Sequence, residues 1–221
     1  VEYSNFRGGI IEFVTKGGTN EFEGSVGYYD RGDQFYGDKI EGQKYTFDKE
    51  DTAQSFTLGG PIIKDKAFFY VTYEETTVTN PVLYGPAGSG AANEQAITLA
   101  QVDNIRQITI NKYGWDPLGV ASTTESNQEN TSLRVDYILN ENHRLTYNYK
   151  STEGDRLRAS GSNSSFYFES ASYFKGEKTD TSSILLVSDW SDNLVSEIYY
   201  SNKSTDTSQE SPAGQNVPNF Y

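Results

Sequence analysis

Seven stretches of this chain alternate apolar and polar residues, and the segments joining them are alternately short and long. A period of two places successive side chains on opposite faces of a strand. The stretches are 21–30, 52–60, 67–78, 131–139, 143–151, 181–190 and 194–202. In the first, Phe22, Val26 and Tyr28 share one face and Glu23, Ser25 and Tyr29 the other. In 131–139, Leu133, Val135, Tyr137 and Leu139 oppose Arg134 and Asp136; in 143–151, Leu145, Tyr147 and Tyr149 oppose Arg144, Thr146, Asn148 and Lys150. The stretch 181–190 is less regular, because Ile184, Leu185, Leu186 and Val187 are apolar on both faces. Three links are short and carry turn residues: "PIIKDK" at 61–66, "NEN" at 140–142 and "SDN" at 191–193. The other three, 31–51, 79–130 and 152–180, are long.

Structureless loops of ~20 residues are uncommon in compact soluble domains. A barrel crossing the outer membrane has this rhythm, with short turns on the periplasmic side and long loops outside. Strands of ~9–11 residues suffice to cross a bilayer when tilted. The pattern therefore predicts an all-β fold: an antiparallel up-and-down transmembrane β-barrel, here partial, with about seven strands of a larger barrel.

Composition agrees with that prediction and removes several alternatives. Aromatic residues make up 14% of the chain, while the hydrophobic fraction is only 35%. That combination suits sheets with one polar face. The net charge of −13 comes with no basic cluster, so nothing is present to neutralise phosphates and no nucleic-acid partner is expected. There is no Cys, hence no disulfide framework and no thiolate metal site. No run of ~18 apolar residues exists to form a membrane helix, which leaves closed strands as the route across a bilayer. The chain starts at Val1, lacks Met and opens with no leader-like segment, as expected of a processed product or an excised piece.

The opening segment "GGIIEFVTKGGTNEFEGSVGYY", residues 8–29, breaks an apolar run with Lys16, Gly17, Gly18, Thr19 and Asn20 and then restarts as an alternating strand. It resembles the junction in TonB-dependent outer-membrane transporters, where the last plug strand passes into the first barrel strand. "VTKGGTNEFEGS" followed by "LGGPIIKDKAFFYVTYEET" is similar to the Oar-like branch of that family, the second motif falling at the first periplasmic hairpin. The resemblance implies a plug end over 1–20 and the N-terminal part of the barrel over 21–221. At the junction, Gly8 and Gly9 would give close backbone approach or positive φ, and Ile10 to Val14 would be buried in the plug. Gly17 and Gly18 would let the chain turn out of the plug before Phe22 meets lipid. It also implies transport of an unidentified substrate across the outer membrane, energised by the TonB complex through an upstream segment, and a barrel of ~22 strands. The expected partners are outer-membrane lipid, that complex and the substrate.

No constellation points to catalysis, and the chain is expected not to be an enzyme and to carry no cofactor or metal. The single histidine, His143, sits beside a short turn, where a structural role is expected. The acidic groups at 30–33, 48–51 and 74–75 fit no calcium-loop spacing and read as solvated charge. "GPAGSG" at 85–90 lacks the Lys-Ser/Thr ending of a phosphate loop. Within the long loop, Ile97, Val102, Ile105 and Ile108 in 93–113 predict a short helix packed on the outer rim. If the apolar faces meet lipid, Glu74, Arg134, Asp136, Lys150 and Glu197 point into the lumen. Arg134 and Asp136 with Arg144 and Lys150 are then expected to form cross-strand ionic ladders. Trp190 and Tyr200 fit an interfacial aromatic girdle. Two other classes remain open here: a secreted soluble β-sandwich or solenoid that binds carbohydrate through aromatics, and a passive surface barrel.

Overall fold

The computed structural model describes residues 16–37, 39–40, 43–44, 49–158 and 164–214. Gly8, Gly9 and the apolar run 10–14 lie outside them. Seven strands form one antiparallel sheet: β1 (Glu23–Arg31), β4 (Glu50–Ile63), β5 (Ala67–Pro81), β8 (Thr123–Asn140), β9 (His143–Arg158), β10 (Tyr173–Ser191) and β11 (Leu194–Glu210). The spatial order follows the chain order, so the sheet is an up-and-down meander with open edges at β1 and β11. The intervening pieces are the two-residue strands β2 (Lys39–Ile40) and β3 (Gln43–Lys44), the parallel pair β6 (Tyr84–Ala87) and β7 (Asn93–Thr98), and the helix α1 (Leu99–Tyr113).

Among the described residues the sheet has no second layer. Among the described residues only Ala67 and Val102 are buried hydrophobics, whereas Val26 is 83% and Ile198 63% exposed. Val135, Tyr137, Leu145 and Tyr147 are half-buried by their neighbours in the sheet. Register places Phe56, Tyr73, Val71, Leu133, Val135, Tyr147, Tyr149, Ile184 and Ile198 on one face. Among the described residues one face of this single sheet is continuously apolar and uncovered, unlike the two packed layers of a sandwich.

The upper edge of the apolar face measures how the strands lie in the membrane. Tyr28 on β1 is the last apolar residue of its row, where its neighbour Gln54 is already polar. Phe56 and Tyr73 end the next row, opposite Thr131. Leu133 and Tyr149 end the third, opposite Ser182. Ile184 and Tyr200 end the fourth. The edge therefore falls two residues at every second strand, one residue per strand on average. With ~3.4 Å per residue and ~4.8 Å between strands, that drift corresponds to a tilt of about 35°. Transmembrane barrels tilt their strands by about 35–45°. Tyrosines along this edge supply one aromatic border; Trp190, with its indole N–H donating to Ser196 Oγ at 2.8 Å and its ring edge-on to His143, stands at the short-turn border.

The strands run far beyond their predicted ends. Apart from β1, the strands of the seven-stranded sheet are 14 to 19 residues long, so 79–81, 123–130, 152–158 and 173–180 are ladder and not loop. Above the apolar edge both faces are polar, and the backbone ladder continues without a hydrophobic period to announce it. Hydroxyl and amide pairs such as Thr77–Asn127 and Thr152–Asn130 join neighbouring strands there.

The insertion between β5 and β8 forms an outer lobe. The predicted helix starts later than expected: 93–98 is strand β7, and α1 begins at Leu99 behind a capping box made by Thr98 and Gln101. Gly114 ends it in the left-handed conformation, φ 68°. Its main contacts are with the β6–β7 ladder. Arg106 clamps Asp116 bidentately at 2.8 and 2.7 Å, and the Arg106 guanidinium holds the Asp116 carboxyl down at about 2. Because the folded value lies below the usual 3.8, this clamp contributes fully above pH ~3.8 and is lost as pH falls through ~2. Protection of the α1 amides against hydrogen exchange, corrected for the intrinsic pH dependence of exchange, is thus expected to stay constant down to pH ~3.8 and to fall below it; Asp116→Asn will show the lower protection at neutral pH.

Candidate functional site

The junction segment 16–20 lies across the polar face of the sheet at its short-turn end. Lys16 Nζ pairs with Glu23 at 2.9 Å and stands 5.3 Å from the centre of the Tyr70 ring. A Cβ on Gly17 would come within 3.0 Å of Asp136 Oδ2 and 3.5 Å of Arg134 Nε. A Cβ on Gly18 would lie 2.9 Å from both the Gly60 oxygen and the Phe69 nitrogen, and closer still to the Phe69 oxygen. These are backbone atoms that cannot swing away. Neither glycine has positive φ, and their lack of a side chain has a reason of its own: the backbone here touches the wall, and a Cβ has no room.

Thr19 and Asn20 complete the attachment. Thr19 Oγ1 donates to the Glu21 carbonyl and accepts from the Glu21 N–H, fixing the entry into β1. Asn20 Nδ2 donates to Asp65 Oδ1 at 2.6 Å, and Asn20 Oδ1 accepts from the Asp65 N–H at 2.8 Å. Asp65 is the turn residue between β4 and β5 and has φ 60°. The two motifs that stand 45 positions apart in the chain are thus one structural unit. Replacing Asn20 with alanine removes both bonds and is expected to cost about 1–2 kcal/mol, read as a lower urea midpoint for the full-length protein in lipid vesicles.

Beneath Gly17 sits an ion pair. Arg134 donates to Asp136 from Nε at 2.7 Å and from Nη2 at 3.0 Å, and Thr146 Oγ1 donates to the same carboxylate at 2.7 Å. Asp136 is buried although it is charged. The predicted cross-strand ladder is therefore corrected: the pair runs along one strand, residues i and i+2. Lys150 stands opposite Ser132 and Thr181, and Arg144 opposite Ile138 and Val187, so neither faces a carboxylate directly in register, and Arg144 acts on Asp136 only through the longer-range field across the strands.

Register places Glu74, Arg134, Asp136, Lys150 and Glu197 on a single face, the one opposite the apolar belt. Among the described residues no group of three or more His, Cys, Asp or Glu side chains is arranged to hold a metal ion. In the outer lobe, Glu94 Oε1 accepts from the N–H groups of Gly88 and Gly90 at 3.0 and 3.1 Å. The glycine loop "GPAGSG" already holds a carboxylate of its own where a phosphate would sit.

No helix among the described residues is long and apolar enough to cross a membrane. Residues 14–96 match the profile of the family described as the outer membrane beta barrel domain. Over that span the chain is similar to an outer-membrane β-barrel, and the antiparallel sheet is the wall of a partial, unclosed barrel. The match points to the outer membrane of a Gram-negative cell, with β1, β4, β5 and the start of the outer lobe inside the matched span. Neither a curated protein nor a solved structure matches the chain. The sequence pattern had pointed to the belt and the junction; it gave no sign of the Asn20–Asp65 clasp, because a bond between two turns leaves no local period.

Proposed function

We propose that this barrel segment belongs to a TonB-dependent transporter of the Oar-like kind, importing a substrate rather than catalysing a reaction. The observation that carries the reading is the course of 16–20. The chain preceding the first strand comes in at the short-turn end and lies on the polar face, where a domain plugging the lumen would join the wall. A passive surface barrel has no use for an upstream segment fastened there by two glycines, an ion pair and a clasp. Lys16, Gly17, Gly18, Thr19 and Asn20 act as the fixed end of the plug, and Glu74, Lys150 and Glu197 face the lumen. An energised rearrangement of the plug would then be anchored at this point.

The test is uptake by cells producing the full-length protein. Solute accumulation is expected to depend on the protein, and to vanish when TonB is deleted or the proton gradient is collapsed. Uptake that persists without TonB would mean a passive pore.

A further inference from the structure

We infer that a groove on the polar face around Gly154 binds the anionic group of the transported solute, a carboxylate carried on a small polar molecule. The inference rests on the reading that this face lines the solute's path. The groove holds about 270 Å³ between β8, β9 and β10 and is lined by Gln128, Thr152, Gly154, Arg156, Lys175 and Glu177 among others; Asp155 also borders it, but register turns its side chain to the opposite face. Gly154 makes the hollow: it has no side chain, and its neighbours across the ladder are Gln128 and Glu177. Tyr149, at the edge of the belt, lies five residues before Gly154 on β9, so the groove stands ~17 Å further along the strand, beyond the lipid.

The charge arrangement gives the ligand its sign. Arg156 and Lys175 are direct cross-strand partners on the same face. Like charges in that position destabilise a sheet. Neither cation has an ion-pair partner among the described residues, and the nearby Lys178–Glu153 pair belongs to the opposite face. An oxyanion between the two cations relieves their repulsion and gains charge-assisted hydrogen bonds. Gln128 and Thr152 offer amide and hydroxyl groups beside it, and Glu177 accepts from a neighbouring hydroxyl or ammonium. The lining holds no aromatic ring, so the ligand is recognised by polar contacts and not by stacking.

The experiment measures calorimetric binding to the full-length protein purified in detergent, where no energising complex is needed. The probes are a galacturonate tetramer and a tetrapeptide with a free C-terminus. Uncharged galactose tetramer and the amidated peptide are the controls, with inorganic phosphate as a third anion. At least one carboxylate probe is expected to bind at least tenfold better than its uncharged control, and the Arg156→Ala/Lys175→Ala variant to lose about tenfold or more of that affinity. The probe that responds tells a sugar acid from a peptide terminus. The unliganded variant should melt at the same temperature as the parent or higher, because a repulsion has been removed; Arg156→Gln/Lys175→Gln, of similar size, should lose binding equally. Binding of phosphate alone, equal binding of charged and uncharged probes, or a loss below tenfold in both variants overturns the assignment. Uptake that fails without altering this binding would reject the transport reading and leave the groove in place.

Discussion

Replacing Gly18 with alanine will open the junction by about 3 kcal/mol, while the same change at Gly17 will cost only about 1 kcal/mol. The difference follows from what each new methyl group meets. At Gly18 it enters the backbone of Gly60 and Phe69, both locked in the β4–β5 ladder. At Gly17 it presses on the Asp136 carboxylate, a side chain that can yield by a few tenths of an ångström. Lys16, exposed at the edge of the docked segment, reports the outcome directly as a trypsin site. If cleavage follows the open population, Gly18→Ala in the full-length protein in vesicles will be cut there about a hundredfold faster than the parent. Unchanged cleavage would show that the segment does not rest on the wall.

The second large effect concerns the belt. Val135→Arg and Val26→Arg are each expected to destabilise the membrane-inserted protein by about 2–4 kcal/mol, the cost of a cation deep in hydrocarbon on a barrel's outer face. Ser204→Arg should cost under ~1 kcal/mol. Val26 and Ser204 belong to one hydrogen-bonded row, running through Phe56, Tyr73, Thr131, Ser151 and Asp180. If rows ran parallel to the membrane, the two substitutions would cost the same. The tilt of about 35° inferred from the belt edge puts one in the membrane and the other above it. Urea unfolding of the three variants in vesicles, compared at equal m-value, separates the two geometries.

The belt was legible in the sequence because lipid and water impose opposite demands on alternate residues. Leu133, Val135 and Tyr137 against Arg134 and Asp136 could be read off directly. The continuations of β8, β9 and β10 could not. In 123–130, 152–158 and 173–180 water lies on both sides, threonine, asparagine and glutamate serve either face, and the period disappears while the ladder does not. The "KGGTN" segment was legible as a break in pattern, and the structure gives its cause as lack of space. The partners of Arg134 were misjudged because strand chemistry favours cross-strand pairs; here the polar face is covered by Gly17, and Asp136 turns along its own strand to meet the guanidinium. The groove at Gly154 was invisible, since a missing side chain between Arg156 and Lys175 matters only once register sets them side by side.

The height of the hairpins has a consequence for what a solute meets first. From Tyr149 to Arg158, β9 climbs ~30 Å along its own axis, paired on both flanks for nearly the whole way. Segments joined in this fashion stand as a stiff palisade, not as trailing threads. Molecules arriving from the surroundings would be sorted at its rim, well before reaching the depth of the bilayer.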